Sequence, residues 1–326
     1  MKKIHFNIPQ KIKNINYFNN LEIFAGNGEW TKKVQKLLSK KYSFKKVLLT
    51  DSCTSALEIA ALSLKLKKND EVIVPTYAYP TTASAFMRCG YKLKFVDCNK
   101  NNPRINKSHF LKLLNKKTKA VVLVHHAGQS EDINFFLKLK KKFKFKIIED
   151  AAQCIDLKIG NKYLGSIGDF GCISFHESKN IHCGLGGALL INNNKFKNLS
   201  HYIWERGTNR KDFDKNNVKK YTWIEIGSNF YPTEFQAFYL YNQLKNISKI
   251  QTNRKKNFYT YVENLNKLIK KKLILGMNLN IKSNYHMKYI LLKNLKQREK
   301  LKTFLEKKKI HCVSHYEPLH LSKVGS

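Results

Sequence analysis

Acidic residues are scarce in this 326-residue sequence: Asp and Glu number 23 against 61 Lys and Arg, which gives a formal net charge of +38. Such an excess attracts polyanions, so a nucleic-acid partner has to be considered. The excess is mostly lysine, however, and it is scattered through every segment and not gathered in an arginine-rich stripe. Because no nucleic-acid-binding motif is present either, we interpret the charge as a compositional bias and do not expect a nucleic-acid partner.

Cysteine patterns that mark disulfide frameworks or metal sites are also missing. The seven cysteines form no CxxC pair and no metal-type cluster with the histidines. An odd number of cysteines without a secretory signal is typical of reduced thiols in the cytoplasm. No apolar run approaches the roughly 18 residues of a membrane span. The sequence therefore predicts a soluble, cytoplasmic protein without a metal site or a membrane span.

No Walker-type GKS and no GxGxxG sequence occurs, which argues against a nucleoside-triphosphate or dinucleotide fold. What is present between residues 46 and 193 is an alternation of short apolar runs with helix-length patterns. The predicted strands are residues 47–50, 71–75, 92–97, 120–126, 146–150, 171–176 and 187–192, and the predicted helices are residues 54–66, 79–89, 108–114 and 132–142. This alternation predicts an α/β fold with a mainly parallel sheet and helices on both faces. Because the last strands follow one another closely, we expect a mixed strand or a local hairpin near residues 171–192.

The rest of the chain predicts a smaller α+β domain. After Thr233 a long pattern has apolar residues at helical spacing, and residues 285–320 are typical of a strand, a helix and a second strand. We therefore expect a large cofactor-binding domain over residues 1–245 and a small C-terminal domain over residues 246–326.

Polar residues follow several predicted strands, at the edge where ligands bind in parallel α/β sheets. Asp150 ends an apolar strand, either as a helix N-cap or as a carboxylate that keeps a proton on a heterocyclic nitrogen. In the sequence TDSCTSAL, the hydroxyls of Thr54 and Ser55 either cap a helix or help to bind an anion at its positive end. Tyr79 begins the next helix and either packs or stacks on a planar ligand.

Lys179 lies just beyond another apolar strand, in the sequence SFHESKN. Pyridoxal phosphate requires four groups together, and all four are predicted here: a lysine beside a buried strand, an anion site, an aromatic face and a strand-end carboxylate. Its phosphate needs the anion site, its ring needs the aromatic face and the carboxylate, and its aldehyde needs the amine. The residues therefore predict pyridoxal phosphate as the cofactor.

A longer series of motifs runs through the chain in order. These motifs are NIPQ, GNGEWTKKVQKLL, TSAL, PTYAYPTT, EDAAQ, SFHESKN, CGLGGALLIN, RGTNR, KYTWIEIGS, IGSNFYPTEFQAFYL and HYEPLH. In this order they resemble the DegT/DnrJ/EryC1/StrS family of sugar aminotransferases, which are pyridoxal-phosphate enzymes of fold type I. The resemblance covers nearly the whole chain.

The resemblance implies which residues hold the cofactor. They are Thr54, Ser55, Tyr79, Asp150, Gln153, Ser174, Lys179 and Asn229. Lys179 would bind the aldehyde and later move a proton, and Asp150 would pair with the pyridine nitrogen. The others would contact the phosphate, the ring face or the phenolic oxygen. Because Asn229 matches a phosphate ligand from the neighbouring subunit, the resemblance also implies a homodimer with shared active sites.

Three further residues have either a functional or a structural interpretation. His176 either faces the sugar as a catalytic group or is a packed strand-end histidine. Arg206 and Arg210 either grip the carboxylate of the donor or the diphosphate of the nucleotide, or lie at the surface.

A third group of candidates lies near the end of the sequence. The resemblance places His315, Tyr316 and His320 on a wall of the substrate cleft, and the alternative is a plain strand and turn.

The function implied by the resemblance is the transfer of an amino group from glutamate to a nucleotide-linked 4-keto-6-deoxy sugar. The reaction would convert dTDP-4-dehydro-6-deoxyglucose to dTDP-4-amino-4,6-dideoxygalactose for surface polysaccharide. The alternatives are amination at C3, a GDP- or UDP-linked sugar, and a catalytically inactive basic scaffold. Two features depart from the family pattern: Leu185 stands where the family usually has Glu, and relatives extend beyond Ser326, so that a truncated small domain is expected.

Overall fold

The computed structural model describes residues 23–326, and a seven-stranded sheet forms its centre. The strands in chain order are β1 (Val47–Thr50), β2 (Glu71–Pro75), β3 (Lys92–Val96), β4 (Cys98–Asn99), β5 (Asn102–Ile105), β6 (Thr118–Val124), β7 (Lys146–Asp150), β8 (Lys158–Ile159), β9 (Lys162–Tyr163), β10 (Phe170–Ser174), β11 (Gly187–Ile191), β12 (Leu275–Gly276) and β13 (Ile290–Leu291). The central sheet has the order β1-β11-β10-β7-β6-β2-β3. Strands β10, β7, β6, β2 and β3 pair in parallel, whereas β11 is antiparallel to both of its neighbours.

Helices cover the sheet on both faces. They are α1 (Glu29–Tyr42), α2 (Cys53–Leu64), α3 (Pro80–Met87), α4 (Lys107–Leu113), α5 (Ile133–Phe143), α6 (Lys197–Trp204), α7 (Arg210–Phe213), α8 (Glu234–Lys245), α9 (Ile247–Lys270) and α10 (Leu295–Lys307). One hydrophobic cluster joins the sheet to α2, α3 and α6, and two others join its opposite face to α1, α8, α4 and α5.

Strand residues alternate between these two faces. In β6, Ala120 and Val122 belong to the first cluster, whereas Val121 and Leu123 belong to a cluster on the other face. Because both faces are buried, the strands need apolar residues at nearly every position, and this is why they stand out in the sequence as short continuous apolar runs.

The register of the strands brings three chain segments to one edge of the sheet. Gly187 at the start of β11 pairs with Thr50 at the end of β1 and with Ser174 at the end of β10. The turn before α2 and the turn that carries Lys179 therefore meet at the carboxyl ends of the parallel strands.

Helix α1 is fixed to the body of the fold through the buried Glu234 at the start of α8. The Glu234 carboxylate accepts the backbone N–H groups of Gly28, Trp30 and Thr31 at 3.0, 2.7 and 3.3 Å. A carboxylate at a helix N-terminus satisfies free amides and the helix dipole together. The NIPQ motif at residues 7–10 lies outside the described residues.

The strands and helices predicted between residues 46 and 193 are confirmed, with ends that differ by a few residues, and the predicted mixed strand is β11. The strand expected after α10 is wrong: residues 311–318 have no regular structure. The Tyr316 side chain contacts loops at the carboxyl edge of the sheet, so this segment covers that edge and does not extend a sheet. The division into a large domain (residues 1–245) and a small domain (residues 246–326) stays a prediction.

Candidate active site

The amino end of α2 forms a polar turn at the carboxyl edge of the sheet. Ser52 Oγ accepts the N–H of Ser55 at 3.1 Å and lies 2.9 Å from the Ser55 hydroxyl. The amides of Cys53 and Thr54 have no hydrogen-bond partner within residues 23–326. Gly187 lies directly against them, since a Cβ on it would be 2.4 Å from the Cys53 nitrogen. The turn offers free N–H groups at the positive end of a helix, while the Ser55 hydroxyl is partly engaged in capping.

Lys179 lies in the turn between β10 and β11. Its N–H donates to the carbonyl of His176 at 2.9 Å, which closes the turn. Burial lowers the pKa of the Lys179 amine, and the nearby Asp150 carboxylate opposes part of that effect. Within the described part of the chain, the amine makes no hydrogen bond. Lys179 is therefore a partly buried amine that is available for chemistry at a lower pH than an ordinary lysine.

Asp150 is the last residue of β7, and its side chain is buried. One carboxylate oxygen accepts the hydroxyl of Thr82 at 2.7 Å, and the other accepts the N–H of Ala152 at 3.1 Å. The bond to Ala152 agrees with the capping interpretation, but Thr82 comes from α3 and fixes the carboxylate from a different element. Sequence reasoning did not single out Thr82, although it lies within the PTYAYPTT motif.

Ser174 and His176 participate in the same turn as Lys179. Ser174 Oγ accepts the N–H of His176 at 3.3 Å. His176 Nδ1 accepts the N–H of Ser178 at 3.2 Å and lies 2.9 Å from the Ser178 hydroxyl. One nitrogen of His176 thus stabilises the turn, as expected of a packed strand-end histidine, and a role in catalysis is left to the remaining nitrogen.

Gln153 and Tyr316 connect the β7 loop to the segment after α10. The Gln153 amide accepts the N–H of Ala127 at 2.6 Å and donates to the Tyr316 hydroxyl at 3.3 Å. The Tyr316 ring lies 6.0 Å from the exposed ring of Tyr79 and 5.8 Å from the ring of His126. Burial raises the pKa of Tyr316 and the Asp150 carboxylate adds to this rise, so its hydroxyl keeps its proton.

The segment from residue 315 to residue 320 is anchored on the end of β2. The N–H of Leu319 donates to the carbonyl of Thr76 at 2.8 Å, and His320 Nδ1 forms a hydrogen bond with the Thr76 hydroxyl. The His315 ring lies 4.8 Å from the Tyr316 ring. Burial lowers the pKa of His315, and the positive charge of Lys179 lowers it further. The structure thus brings all three C-terminal candidates to the carboxyl edge of the sheet.

Arg206 and Arg210 lie apart from this group, whereas Asn229 precedes Phe230, whose carbonyl accepts the N–H of Asp51 in the turn before α2 at 3.1 Å. The Arg206 guanidinium lies 4.9 Å from the centre of the Tyr231 ring. Arg210 is exposed and lies 3.8 Å from the carboxylate of Asp214. Asn229 is exposed, and among residues 23–326 no recorded contact joins any of the three to the Lys179 turn. Within a single chain their positions agree with the surface alternative.

Leu185 is exposed at the tip of the turn between β10 and β11. Its carbonyl accepts the side-chain N–H of Gln236 at 2.9 Å, so α8 supports this turn through the backbone. A backbone contact of this kind does not depend on whether residue 185 is Leu or Glu.

His126 was not among the predicted site residues. Its ring lies between Tyr77 and Tyr316, at 5.2 and 5.8 Å, and its Nδ1 is buried without a partner in the described chain. Burial, with His315 and Lys179 nearby, lowers the pKa of His126 to about 3, so it is a neutral imidazole. The only signal in the sequence was its place at the end of an apolar strand.

The described residues contain no group of His, Cys, Asp or Glu side chains suited to a metal ion. Over the same residues, no helix combines the length and the apolar character that crossing a membrane requires.

The arrangement fits the three polar parts of pyridoxal phosphate. The free amides of Cys53 and Thr54, with the nearby end of β10, suit a phosphate. Asp150 uses only one hydrogen bond on each oxygen and retains capacity for an N–H donor. Lys179 supplies an unpaired amine for an aldehyde. The donor set therefore matches this cofactor.

Comparison with known proteins supports the same assignment. The model of the DegT/DnrJ/EryC1/StrS aminotransferase family matches residues 9–325. GDP-perosamine synthase of Escherichia coli O157:H7 is 26% identical over 296 residues, which cover 91% of this chain and 79% of that protein.

Two solved structures show the same fold. PseC of Helicobacter pylori, an aminotransferase involved in the biosynthesis of pseudaminic acid, superposes with a TM-score of 0.90 at 24% identity and covers 99% of this chain and 87% of its own. The sugar aminotransferase Spr1654 of Streptococcus pneumoniae in its PLP form gives a TM-score of 0.87 at 21% identity, with coverage of 99% and 87%. These structures confirm fold type I. The chain belongs to the DegT/DnrJ/EryC1/StrS aminotransferase family, whose aminotransferases depend on pyridoxal phosphate.

Proposed function

We propose that this sugar aminotransferase transfers the amino group of glutamate to a nucleotide-linked 4-keto-6-deoxy sugar, converting dTDP-4-dehydro-6-deoxyglucose to dTDP-4-amino-4,6-dideoxygalactose for surface polysaccharide. Two neighbouring groups support the chemistry. The Lys179 amine is partly buried and makes no hydrogen bond within the described residues, and the carboxylate of Asp150 is oriented by two hydrogen bonds. When bound, pyridoxal phosphate supplies an electron sink for the carbon from which the proton is removed.

Lys179 would carry the proton between substrate atoms. An amine must be uncharged to accept a proton, and its lowered pKa increases the fraction of uncharged amine near neutral pH. The backbone bond to the His176 carbonyl would keep the turn, and with it the amine, beside the substrate.

Asp150 would keep a positive charge on the ring nitrogen. Its two hydrogen bonds, from Thr82 and Ala152, orient the carboxylate without neutralising it. Thr54, Ser55 and Ser174 would bind the phosphate, Gln153 would lie by the phenolic oxygen, and the ring of Tyr79 would cover the cofactor.

The segment that contains His315, Tyr316 and His320 would form the wall of the sugar site. Because it is anchored to Thr76 and Gln153, it can exclude water from the space around Lys179. His176, through the ring nitrogen that the turn leaves free, is proposed to contact the sugar.

The exposed positions of Asn229, Arg206 and Arg210 favour a homodimer in the proposed scheme. Residues that are remote from Lys179 in their own chain can complete the site of a second copy, Asn229 at the phosphate and the arginines at a carboxylate or diphosphate. We place this dimer in the cytoplasm, which suits seven free cysteines.

A GDP-linked sugar is the second candidate substrate, because one of the related proteins is a GDP-perosamine synthase. Amination at C3 and a UDP-linked sugar are further alternatives, and a basic scaffold without activity is the alternative outside catalysis.

An absorbance spectrum with added pyridoxal phosphate, before and after glutamate, tests the amino-transfer chemistry. A visible band that glutamate bleaches, and that a Lys179→Ala variant lacks, is the expected result. Adding dTDP-, GDP- and UDP-linked keto sugars to the glutamate-treated enzyme then identifies the acceptor, which restores the band. If no band forms in the native protein, the scaffold alternative replaces the enzyme.

A further inference from the structure

A buried polar segment, Asn284 to His286, contacts both loops of the proposed active site. It follows α9 in the chain and is remote in sequence from Lys179 and Asp150. Asn284 and His286 are both buried. Neither residue was predicted from the sequence, and no role in the reaction described above falls to them.

The contact with the Lys179 turn is made through the next residue, Asn180. Its side-chain NH2 donates to Gln251 Oε1 at 2.9 Å and to the carbonyl of Asn284 at 2.9 Å. Its Oδ1 lies 2.8 Å from His286 Nδ1. All polar atoms of the Asn180 side chain are thus engaged by residues of α9 and of the buried segment.

These hydrogen bonds determine which ring nitrogen of His286 carries a hydrogen. Because the Asn180 NH2 faces two acceptors, its oxygen faces His286, and His286 Nδ1 must carry the hydrogen. Burial lowers the pKa of His286 well below its ordinary value, and the charges of Lys179 and Arg254, with His126 and His315, act in the same direction. His286 is therefore a neutral imidazole that donates from Nδ1.

The contact with the second loop is made by Asn284. Its side-chain NH2 donates to the carbonyls of Gln153 and Ile155 at 2.8 and 2.9 Å. Its backbone N–H donates to the carbonyl of Gly128, which lies in the loop after β6, at 3.1 Å. Asn284 and His286 thus hold the loop after Asp150 and the turn of Lys179 from one side.

We propose that Asn284 and His286 are positioning residues, which set the distance and direction between the Lys179 amine and the Asp150 loop. This inference rests on the proposed function. Arg254 supports the segment in turn, because its guanidinium donates to the carbonyls of Tyr285 and His286 at 3.3 and 2.5 Å.

Matched variants at residue 286 test the proposal. His286→Leu removes the donor to Asn180, whereas His286→Asn retains an N–H close to the place of Nδ1. Asn264→Ala is the control, since the side chain of this exposed asparagine donates to the Thr260 carbonyl within α9. We expect His286→Leu to lower kcat by about 10- to 100-fold with an unchanged KM for glutamate, because small misplacements of reacting groups have effects of this size. His286→Asn is expected to restore most of kcat.

Two measurements on the protein without cofactor make the test independent of turnover. Lys179 labelling with acetic anhydride, read by mass spectrometry across a pH series, gives the midpoint of its titration. Amide hydrogen exchange gives the protection of residues 176–186. In His286→Leu we expect the midpoint to move up toward that of an ordinary lysine and the protection to fall.

The outcomes separate the two claims. If native protein forms no cofactor band, the proposed function fails, while labelling and exchange still test the positioning role. If His286→Leu and Asn284→Ala match Asn264→Ala in kcat, labelling midpoint and exchange, the positioning proposal is overturned. If His286→Leu does not fold, Asn284→Ala carries the same comparison, and values equal to those of Asn264→Ala in kcat, labelling midpoint and exchange also overturn the proposal.

Discussion

Two neighbouring carboxylates at the end of β7 have very different surroundings. Glu149 is fully buried and lies 3.0 Å from His125 Nε2, and it accepts the N–H groups of Gly165, Ile167 and Gly168 at 2.9, 2.6 and 2.6 Å. Asp150, on the opposite face of the strand, has two donors and lies beside the Lys179 turn.

The difference shows how hydrogen-bond saturation separates a carboxylate that is fully engaged by the fold from one that can still bind a ligand. A carboxylate has about four acceptor positions, so Glu149 has no capacity left and its role is to hold residues 165–168 against the sheet. Asp150 keeps capacity for a ligand. Charge and burial alone would not distinguish the two residues.

The largest effect that this comparison predicts is on activity at residue 150. Asp150→Asn removes the charge but keeps the shape, so we expect the amino-transfer rate to fall by about 10³-fold, because electrostatic stabilisation is often the largest part of catalysis. The thermal midpoint should stay close to that of the native protein. Stopped-flow absorbance with glutamate measures the rate and calorimetry measures stability. A fall in rate of less than threefold would remove Asp150 from the mechanism.

Glu149→Gln should lower the stability of the fold and leave the cofactor spectrum of the folded protein unchanged. The change places an NH2 group against backbone donors and leaves His125 without its anionic partner, so we expect a loss of about 3–5 kcal/mol in the free energy of unfolding. Urea unfolding followed by circular dichroism measures it. The folded fraction should retain its cofactor spectrum, and a native spectrum with unchanged stability would contradict the structural role.

Glu131 extends the comparison to a third buried carboxylate, which accepts the backbone N–H of Ile105 at 2.8 Å. Burial raises its pKa from 4.5 to about 7. The folded state therefore holds a proton that the unfolded state loses between pH 4.5 and pH 7, so stability declines across this window by up to about 3 kcal/mol and then levels off. Urea unfolding of the native protein and of Glu131→Gln across this range gives the difference, and Glu263→Gln on the exposed face of α9 is the control. Parallel pH profiles would show that Glu131 is ionised throughout.

The smallest expected effect is at Thr82. Thr82→Val removes one of the two donors to Asp150, and we expect about a tenfold lower rate or cofactor affinity, since one hydrogen bond to a charged group has this value. Titration with pyridoxal phosphate and the glutamate half reaction measure both quantities. Thr81→Val, one residue earlier on α3, should leave them unchanged, and an equal effect at the two positions would contradict a specific bond.

The sequence was sufficient to predict those features of the fold and the site that a single local signal determines. Continuous apolar runs identified the buried strands, and the motif around Lys179 predicted the lysine that the proposal assigns to the cofactor. Thr82, His286 and Asn284 could not be found in this way, because their significance comes from contacts with residues far away in the chain. The segment from residue 311 to 318 was assigned as a strand from its composition, whereas its Tyr316 side chain contacts Gln153, Tyr77 and His126, which are far away in the chain.

The close approach of Gly187 to Cys53 has a consequence for the order of folding. The turn before α2 is made early in synthesis, but the strand that supports it, β11, emerges much later. Non-local strand pairing of this kind is slow, because a long loop must close before any contact is gained. The turn before α2 can therefore acquire its final shape only after β11 has left the ribosome, and until then the nascent chain exposes an unpaired sheet edge of the type that chaperones recognise.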